Sequence, residues 1–357
     1  MQLRRILLTF SSLLLSLIAF DQESPISPDL AVDSFVRTVK FEGNLDSLTH
    51  HLTDRYPTQL DKATAIFFWI IENIRYDCKF YNKYNYKGRE PYRYKCRDDE
   101  DCEAKRMALE TRIIERVVEK KKAVCQGYSM LFKRMCDIAG LRSEVLIGYI
   151  RTEYYEVGTS GSIEHAWNSV LIDSTWHLLD ATWAAGGCAS DDDGKLLFFV
   201  KRYNPYYWLT PPEDFARNHY PKDTVWTLIP HYTKEKFAAN PYYRRDEMSH
   251  IKLLAPGSGI IDAKKGDTIR FKIYYHGGCQ KLQINSNVFH NPDIYTVDKK
   301  NRRILDTIAV KLQQYIPFQE HDFIYEFEYV VTDASLDHLD ILFDRYWIMR
   351  FNVSVRQ

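Results

Sequence analysis

The sequence predicts an α+β fold for the first two thirds of the chain and an all-β domain for the last third. Apolar residues recur at helical spacing over 61–75 and again after Cys125, which predicts two amphipathic helices. Alternating residues over 166–180 predict a pair of strands joined by a tight turn. Over 246–357, short alternating segments are separated by turns. That pattern is typical of one small β-sandwich, and we expect an immunoglobulin-like topology.

Cys125 opens the second predicted helix. A cysteine in the first turn faces the positive end of the helix dipole and unpaired backbone N–H groups, which favour the thiolate over the thiol. The same N–H groups can stabilise an oxyanion, an effect of roughly 3 kcal/mol per donor. Gly127 is expected to leave space beside the sulfur for a substrate backbone. The competing interpretation is a buried structural cysteine, which fits Cys136 well. The apolar face of this helix comprises Tyr128, Leu131, Phe132, Met135, Ile138 and Ala139.

A predicted hairpin brings a histidine and an aspartate together. Its two-residue turn at 173–174 places Trp167 opposite Asp180. His165 shares a face with Trp167 because side chains alternate along a strand. Asp180 is therefore expected within reach of His165, where a carboxylate could hold the imidazole in one tautomer. A register slip of one residue would send Asp180 to the opposite face.

Four other histidines are weaker candidates for a base. His177 is predicted to lie further into the hairpin, opposite Val170. Three more have no comparable partner pattern in the sequence: His219, His231 and His250. A histidine on a strand is more often structural, so the hypothesis for His165 depends on Cys125 and Asp180 together.

Three ordered blocks resemble the core of the transglutaminase-like superfamily. They are KATAIFFWIIENIRYD (62–77), AVCQGYSMLFKRMCDIAGL (123–141) and EHAWNSVLIDSTWHLLDATW (164–183). A fourth block, FFVKRYNPYYWLTPPEDFARNHYPKDTVWTLI (198–229), is similar to the branch that contains kyphoscoliosis peptidase. The resemblance covers roughly 55–240 and implies a papain/transglutaminase-like catalytic core.

The resemblance implies a role for each residue of a Cys-His-Asp triad. Cys125 is the expected nucleophile, His165 the base and Asp180 the orienting carboxylate. The implied chemistry is attack on a protein carboxamide or peptide bond through a thioester, with peptidase activity favoured on resemblance alone. Two alternatives stay open: a protein-glutamine acyltransferase (transglutaminase), and a catalytically silent protein-binding or scaffold module.

Two details of the site are left open by the sequence. The second donor to the oxyanion has three candidates, each of which could instead serve packing: Tyr76, Trp69 and Gln126. Three tryptophans could line a tunnel for an acceptor amine, although core packing is the commoner role in a strand pair: Trp167, Trp176 and Trp183.

The expected organisation has four parts. Residues 1–20 have a basic start and an apolar run of signal-peptide length. The cleavage site is poor, so the chain is expected to be secreted or anchored at its N-terminus with the catalytic domain outside the cytoplasm. No other stretch is long enough to span a bilayer. Residues 21–55 form an N-terminal segment, 56–245 the transglutaminase-like domain and 246–357 the β-sandwich-like domain.

Cysteines and charge limit the partners. Six of the seven cysteines remain when Cys125 is set aside, and disulfides suit an exported chain. Cys78, Cys96 and Cys102 bracket a polar insertion, but the sequence assigns no pairing. The spacing lacks CxxC pairs, and the aspartates at 191–193 lack the alternation of a calcium loop, so we expect no metal or cofactor. Lysine plus arginine equal aspartate plus glutamate at 48 each, which argues against nucleic acid. The expected partners are a protein substrate and, through the β domain, a protein or glycan.

Overall fold

The computed structural model describes residues 34–89, 92, 95–161, 163–300 and 302–356. The predicted signal peptide at 1–20 lies outside them. The helices are α1 (Leu45–Thr53), α2 (Gln59–Asn73), α3 (Cys78–Lys83), α4 (Asp99–Lys120), α5 (Cys125–Ile138), α6 (Ala181–Ala185), α7 (Pro212–Phe215), α8 (Lys234–Ala238) and α9 (Thr307–Lys311). Within the described part of the chain, no helix has the length and apolar character needed to cross a bilayer.

The strands fall into two groups along the chain. The first group is β1 (Arg75–Tyr76), β2 (Lys122–Ala123), β3 (Ser143–Ile150), β4 (Ile163–Ile172), β5 (Thr175–Leu179), β6 (Gly186–Ser190), β7 (Leu196–Lys201), β8 (His219–Pro221) and β9 (Tyr242–Tyr243). The second group is β10 (Ile251–Ala255), β11 (Ile260–Lys264), β12 (Thr268–Tyr275), β13 (Leu282–Ser286), β14 (Tyr295–Val297), β15 (Arg303–Leu305), β16 (Phe318–His321), β17 (Ile324–Val330), β18 (His338–Phe343) and β19 (Tyr346–Arg356).

The helix that carries Cys125 is buried along its predicted apolar face. Tyr128, Leu131, Phe132 and Met135 are all 0% exposed, which confirms the helical spacing. They pack in one core with α2, whose first residue, Gln59, lies two residues earlier than predicted and follows the Thr58 cap. This packing fixes the start of α5, and with it the position of Cys125.

Gly127 allows neighbouring elements to pack closely and does not leave space for a substrate. A Cβ atom at this position would lie 2.9 Å from Val117 and 2.9 Å from Ala123, closer than side-chain carbons approach. The expectation that Gly127 opens space beside the Cys125 sulfur is therefore wrong. The glycine instead lets α5 lie directly against α4 and β2.

The central sheet has the order β5-β4-β3-β8 with antiparallel neighbours. Ile172 pairs with Thr175, and φ is positive at both residues of the 173–174 turn, at 47° and 68°. These values fit a two-residue hairpin turn and confirm the predicted register. The strands end close to the prediction, since β5 stops at Leu179 and Asp180 caps α6.

Gly148 brings the outer strand β8 close to the middle of this sheet. It pairs with His165 on one side and Pro221 on the other. A Cβ atom here would lie 2.2 Å from the Tyr220 carbonyl oxygen and 2.7 Å from the Trp167 ring. Only glycine allows this approach, which carries His219, the first residue of β8, towards the His165 strand.

The C-terminal third is built from two facing sheets. Their orders are β10-β12-β17-β16 and β11-β19-β18-β13, and β9 adds to the second sheet beside β19. The short helix α9 interrupts an otherwise β-rich region. The first hydrophobic core ends at Met248 and the second begins at Ile251, near the predicted boundary. The domain limits and the immunoglobulin-like topology stay predictions.

The sandwich contacts the loop that precedes the His165 strand. Asn352 on β19 donates a hydrogen bond to the Val157 carbonyl at 2.8 Å. The Trp347 and Tyr154 rings meet edge to face, with centroids 5.5 Å apart. The two parts of the chain therefore share packed and hydrogen-bonded contacts around residues 154–157.

Candidate active site

A short polar contact joins His165 and Asp180. His165 Nε2 lies 2.7 Å from Asp180 Oδ2, and the two residues are 6% and 0% exposed. The other carboxylate oxygen, Oδ1, accepts hydrogen bonds from the backbone N–H groups of Thr182 at 2.8 Å and Trp183 at 3.1 Å. Asp180 is thus the N-cap of α6, and the cap holds Oδ2 towards the imidazole.

Cys125 completes the group at the first turn of α5. It is partly exposed, and its sulfur lies near enough to His165 to help raise the pKa of the imidazole. Because Nε2 contacts Asp180, Nδ1 is the ring nitrogen left for the sulfur. The structure therefore brings the three predicted residues, which come from a helix, a strand and a helix cap, into one connected line.

The charges of this group support one another. Burial disfavours the charged imidazole, but the Asp180 carboxylate and the Cys125 sulfur outweigh it and raise the pKa of His165 to about 10. Burial also acts against the Asp180 carboxylate, yet His165 and then His219 hold its pKa well below its usual range. At neutral pH the site therefore holds an imidazolium between the Asp180 carboxylate and the Cys125 sulfur.

His219 is the residue that sequence reasoning missed. Its Nε2 lies 3.3 Å from Asp180 Oδ2, so one carboxylate oxygen faces two histidine rings. His219 is 1% exposed, and burial lowers its pKa to about 4, so the ring is neutral. It lies 39 residues from Asp180 and reaches it through the pairing of β8 with β3. The fourth block that resembles the family, 198–229, contains His219. Its position in that block was the signal in the sequence that could have identified it as a site residue.

The proton positions around His219 follow from its neutral charge. To bond a carboxylate, Nε2 must carry the proton, so Nδ1 must accept. Nδ1 lies 2.7 Å from the side-chain amide of Asn218, whose other end is 3.0 Å from the Tyr207 hydroxyl. In the structure Asn218 Oδ1 faces His219 and Nδ2 faces Tyr207. A neutral His219 that donates from Nε2 requires this amide to be turned over, so that its NH₂ donates to Nδ1 and the Tyr207 O–H donates to its oxygen.

Replacing His219 by glutamine tests this positioning role. We expect kcat to fall by about tenfold to a hundredfold at unchanged KM, because a flexible amide holds the charged Asp180 carboxylate less firmly than the buried imidazole ring does. The high-pH limit of the rate profile should also shift. His177→Gln is the matched control, since His177 is half-exposed opposite Val170, as predicted. Wild-type kcat and pH profile in His219→Gln would assign the residue to packing alone.

Within the described part of the chain, His165, Asp180 and His219 form a group that could hold a metal ion. Ligand atoms of His165, Asp180 and His219 all lie within 4.8 Å of one another. All three are buried, and the carboxylate oxygen already lies at hydrogen-bonding distance from both rings. That arrangement is typical of a carboxylate that orients an imidazole.

Of the three candidate oxyanion donors, Tyr76 fits best. Trp69 is 0% exposed and donates its indole N–H to the Val39 carbonyl at 3.1 Å, which commits it to the core. Gln126 is exposed. Burial and then the nearby charge of Cys125 raise the pKa of Tyr76, so its hydroxyl keeps the proton that a donor needs.

The three tryptophans that could have lined an acceptor tunnel are packed against other side chains. Trp167 is 1% exposed and Trp183 is 8% exposed, and both belong to the first hydrophobic core. Trp176 meets Trp226 edge to face, with centroids 5.0 Å apart. These contacts account for the three side chains without an acceptor tunnel.

Comparison with known proteins matches the region around the site to one superfamily. Residues 46–181, which include all three predicted site residues, match the family model of the transglutaminase-like superfamily. The chain carries a transglutaminase-like domain. Human Kyphoscoliosis peptidase is 29% identical over 239 residues, which are 66% of this chain and 32% of that protein. The mouse protein of that name is 28% identical over the same shares. Drosophila melanogaster Hillarin is 28% identical over 129 residues, 33% of this chain and 16% of Hillarin.

These matches confirm the predicted resemblance to the superfamily and to its kyphoscoliosis-like branch. The aligned region spans about a third of the length of the first of these relatives. A crystal structure described as a TGase overlaps 50% of this chain and 37% of its own, at 20% identity and a TM-score of 0.28. A TM-score this low carries no argument about the fold or function of this chain.

Proposed function

We propose that the transglutaminase-like domain is a thiol enzyme that cleaves peptide or carboxamide bonds of proteins through a thioester on Cys125. The observation that carries the proposal is the continuous line from the Cys125 thiol through His165 to the buried, capped carboxylate of Asp180. A nucleophile, a base and an orienting acid in this order form the minimal set for acyl transfer.

The first half of the reaction acylates Cys125. The thiolate attacks the carbonyl carbon, and the oxyanion forms beside the backbone N–H groups of the first turn of α5 and the Tyr76 hydroxyl. His165 then gives its Nδ1 proton to the leaving amine, so the C–N bond breaks and a thioester remains. Asp180 keeps the ring oriented and its charge stabilised throughout.

The second half releases the product. A water molecule gives a proton to His165 while its oxygen attacks the thioester carbonyl. The C–S bond then breaks, the carboxylic acid leaves, and the thiolate–imidazolium pair is restored. If a lysine amine replaces water, the same steps form an isopeptide bond, which is the transglutaminase alternative.

Two observations support hydrolysis over acyl transfer. Relatives at 28–29% identity are named as peptidases, and two of the three tryptophans that could line an acceptor tunnel, Trp167 and Trp183, are in the core. The alternatives are acyl transfer and a silent binding module. We further propose that the chain is exported or anchored through residues 1–20, and that the sandwich positions protein or glycan partners.

A partition experiment tests the proposed reaction. The purified protein is incubated with a denatured protein mixture, with and without a biotinylated primary amine, and products are read by mass spectrometry. We expect new peptide termini or glutamine-to-glutamate conversion that the amine does not suppress. Amine incorporation as the main product would establish the transglutaminase alternative, and no product at all would favour the binding module.

A further inference from the structure

Two cysteines outside the triad lie in contact. Cys78 Sγ and Cys188 Sγ are 3.5 Å apart, although 110 residues separate them in the chain. Cys78 is buried at the start of α3, and Cys188 is partly exposed on β6. Neither belongs to the disulfide that the structure contains, which joins Cys96 to Cys102 and closes a local loop.

The thiol pair lies in an interface that is already ordered by hydrogen bonds. The Asn82 amide donates to the Leu196 carbonyl at 2.7 Å and accepts from the Leu196 N–H at 3.0 Å. The Tyr86 hydroxyl donates to the Asp193 carbonyl at 3.0 Å. The segment 78–86 is therefore docked on the β6–β7 hairpin, and its sulfurs need only a small approach to bond.

This interface borders the site. Tyr76, two residues before Cys78, pairs with Ala123, two residues before Cys125. Burial, then the neighbouring Cys125 and Cys188, raise the pKa of Tyr76, so both of these sulfurs lie near this tyrosine. On the other side, β6 directly follows α6, the helix that Asp180 caps.

We propose that Cys78 and Cys188 form a second disulfide, which fastens the segment 78–86 to the β6–β7 hairpin beside the site. A small-molecule disulfide such as oxidised glutathione supplies the oxidising equivalents. One thiolate attacks it and releases one reduced glutathione, and the second thiolate then attacks the mixed disulfide and releases the other. Both cysteine sulfurs are oxidised, two glutathione sulfurs are reduced, and two protons are lost from the protein thiols.

Thiol counting on the wild-type chain tests the proposal. The protein is equilibrated in a glutathione redox buffer, unfolded with iodoacetamide in the absence of reductant, and weighed intact. We expect three alkylated cysteines, because two disulfides use four of the seven. Peptide mapping should recover a Cys78–Cys188 cross-link. Five alkylated cysteines, or a link between Cys188 and Cys125, would overturn the proposal.

A stability comparison gives a second readout that is independent of catalysis. A cross-link that closes so long a loop should raise Tm, so oxidised Cys188→Ser should melt about 5–10 °C below wild type. Cys279→Ser is the matched control, because Cys279 lies in the sandwich away from this interface. Equal Tm values for wild type and Cys188→Ser would contradict the cross-link.

Discussion

Cys125→Ala is expected to lower substrate turnover by a factor of about 10⁴ or more, because no other described group can form the thioester at this site. The variant should fold normally, since the side chain is partly exposed and only its Sγ is removed. Turnover is measured on a peptide that the partition experiment identifies, at substrate concentrations above and below KM.

Cys136→Ala is the matched control for this loss. Cys136 lies in the same helix, is 0% exposed, and has a pKa that burial raises, so it is a packing residue. Its replacement should reduce stability slightly and leave kcat within a factor of about two of the wild-type value. Residual turnover in Cys125→Ala comparable to that of Cys136→Ala would refute the assignment of the nucleophile.

Asp180→Asn is expected to lower kcat by about 10³–10⁴-fold while preserving the fold, because the amide oxygen can still cap α6. The neutral side chain no longer stabilises the imidazolium, so the pKa of His165 should fall from its raised value. The rate should then decline at lower pH than in the wild type, whose imidazolium persists to a pH of about 10. The measurement is a pair of pH–rate profiles.

The same variant should show a pH-dependent loss of stability. Asp180 has a lowered pKa, so its contribution is present above its unfolded value of 3.8 and is lost as the pH falls further. His165 has a raised pKa, so its contribution is complete below its unfolded value of 6.5 and is lost as the pH rises towards about 10. The difference in unfolding free energy between wild type and variant should therefore be largest between these unfolded values. Urea titrations near pH 5.5 and pH 9.5 measure this difference in unfolding free energy. The same difference at both pH values would contradict the ion pair between His165 and Asp180.

Local sequence patterns were sufficient for the helix and hairpin that carry the three site residues. The helix of Cys125 follows from its periodic apolar face, and the hairpin follows from alternation around the 173–174 turn. Counting residues from that turn was enough to place Asp180 near His165, because register transmits position along paired strands.

Features that depend on contacts between distant segments were missed or wrong. His219 reaches Asp180 through the β8–β3 pairing, which depends on Gly148 and leaves no periodic signal near either residue. The role of Gly127 was wrong because Val117, on another helix, fills the space beside it. The contact of Cys78 with Cys188 likewise joins segments that only the fold brings together.

Alkylation of the native protein by iodoacetamide, followed by intact mass across pH, tests the thiolate–imidazolium pair most directly. Burial raises the pKa of Cys279 to about 11, so this thiol should react slowly at neutral pH, and the proposed disulfide removes Cys78 and Cys188 from the reaction. The account predicts fast labelling at the single site Cys125 below pH 7 and loss of that rate in His165→Ala. Labelling of Cys125 no faster than an ordinary thiol, or at the same rate in His165→Ala, would contradict it.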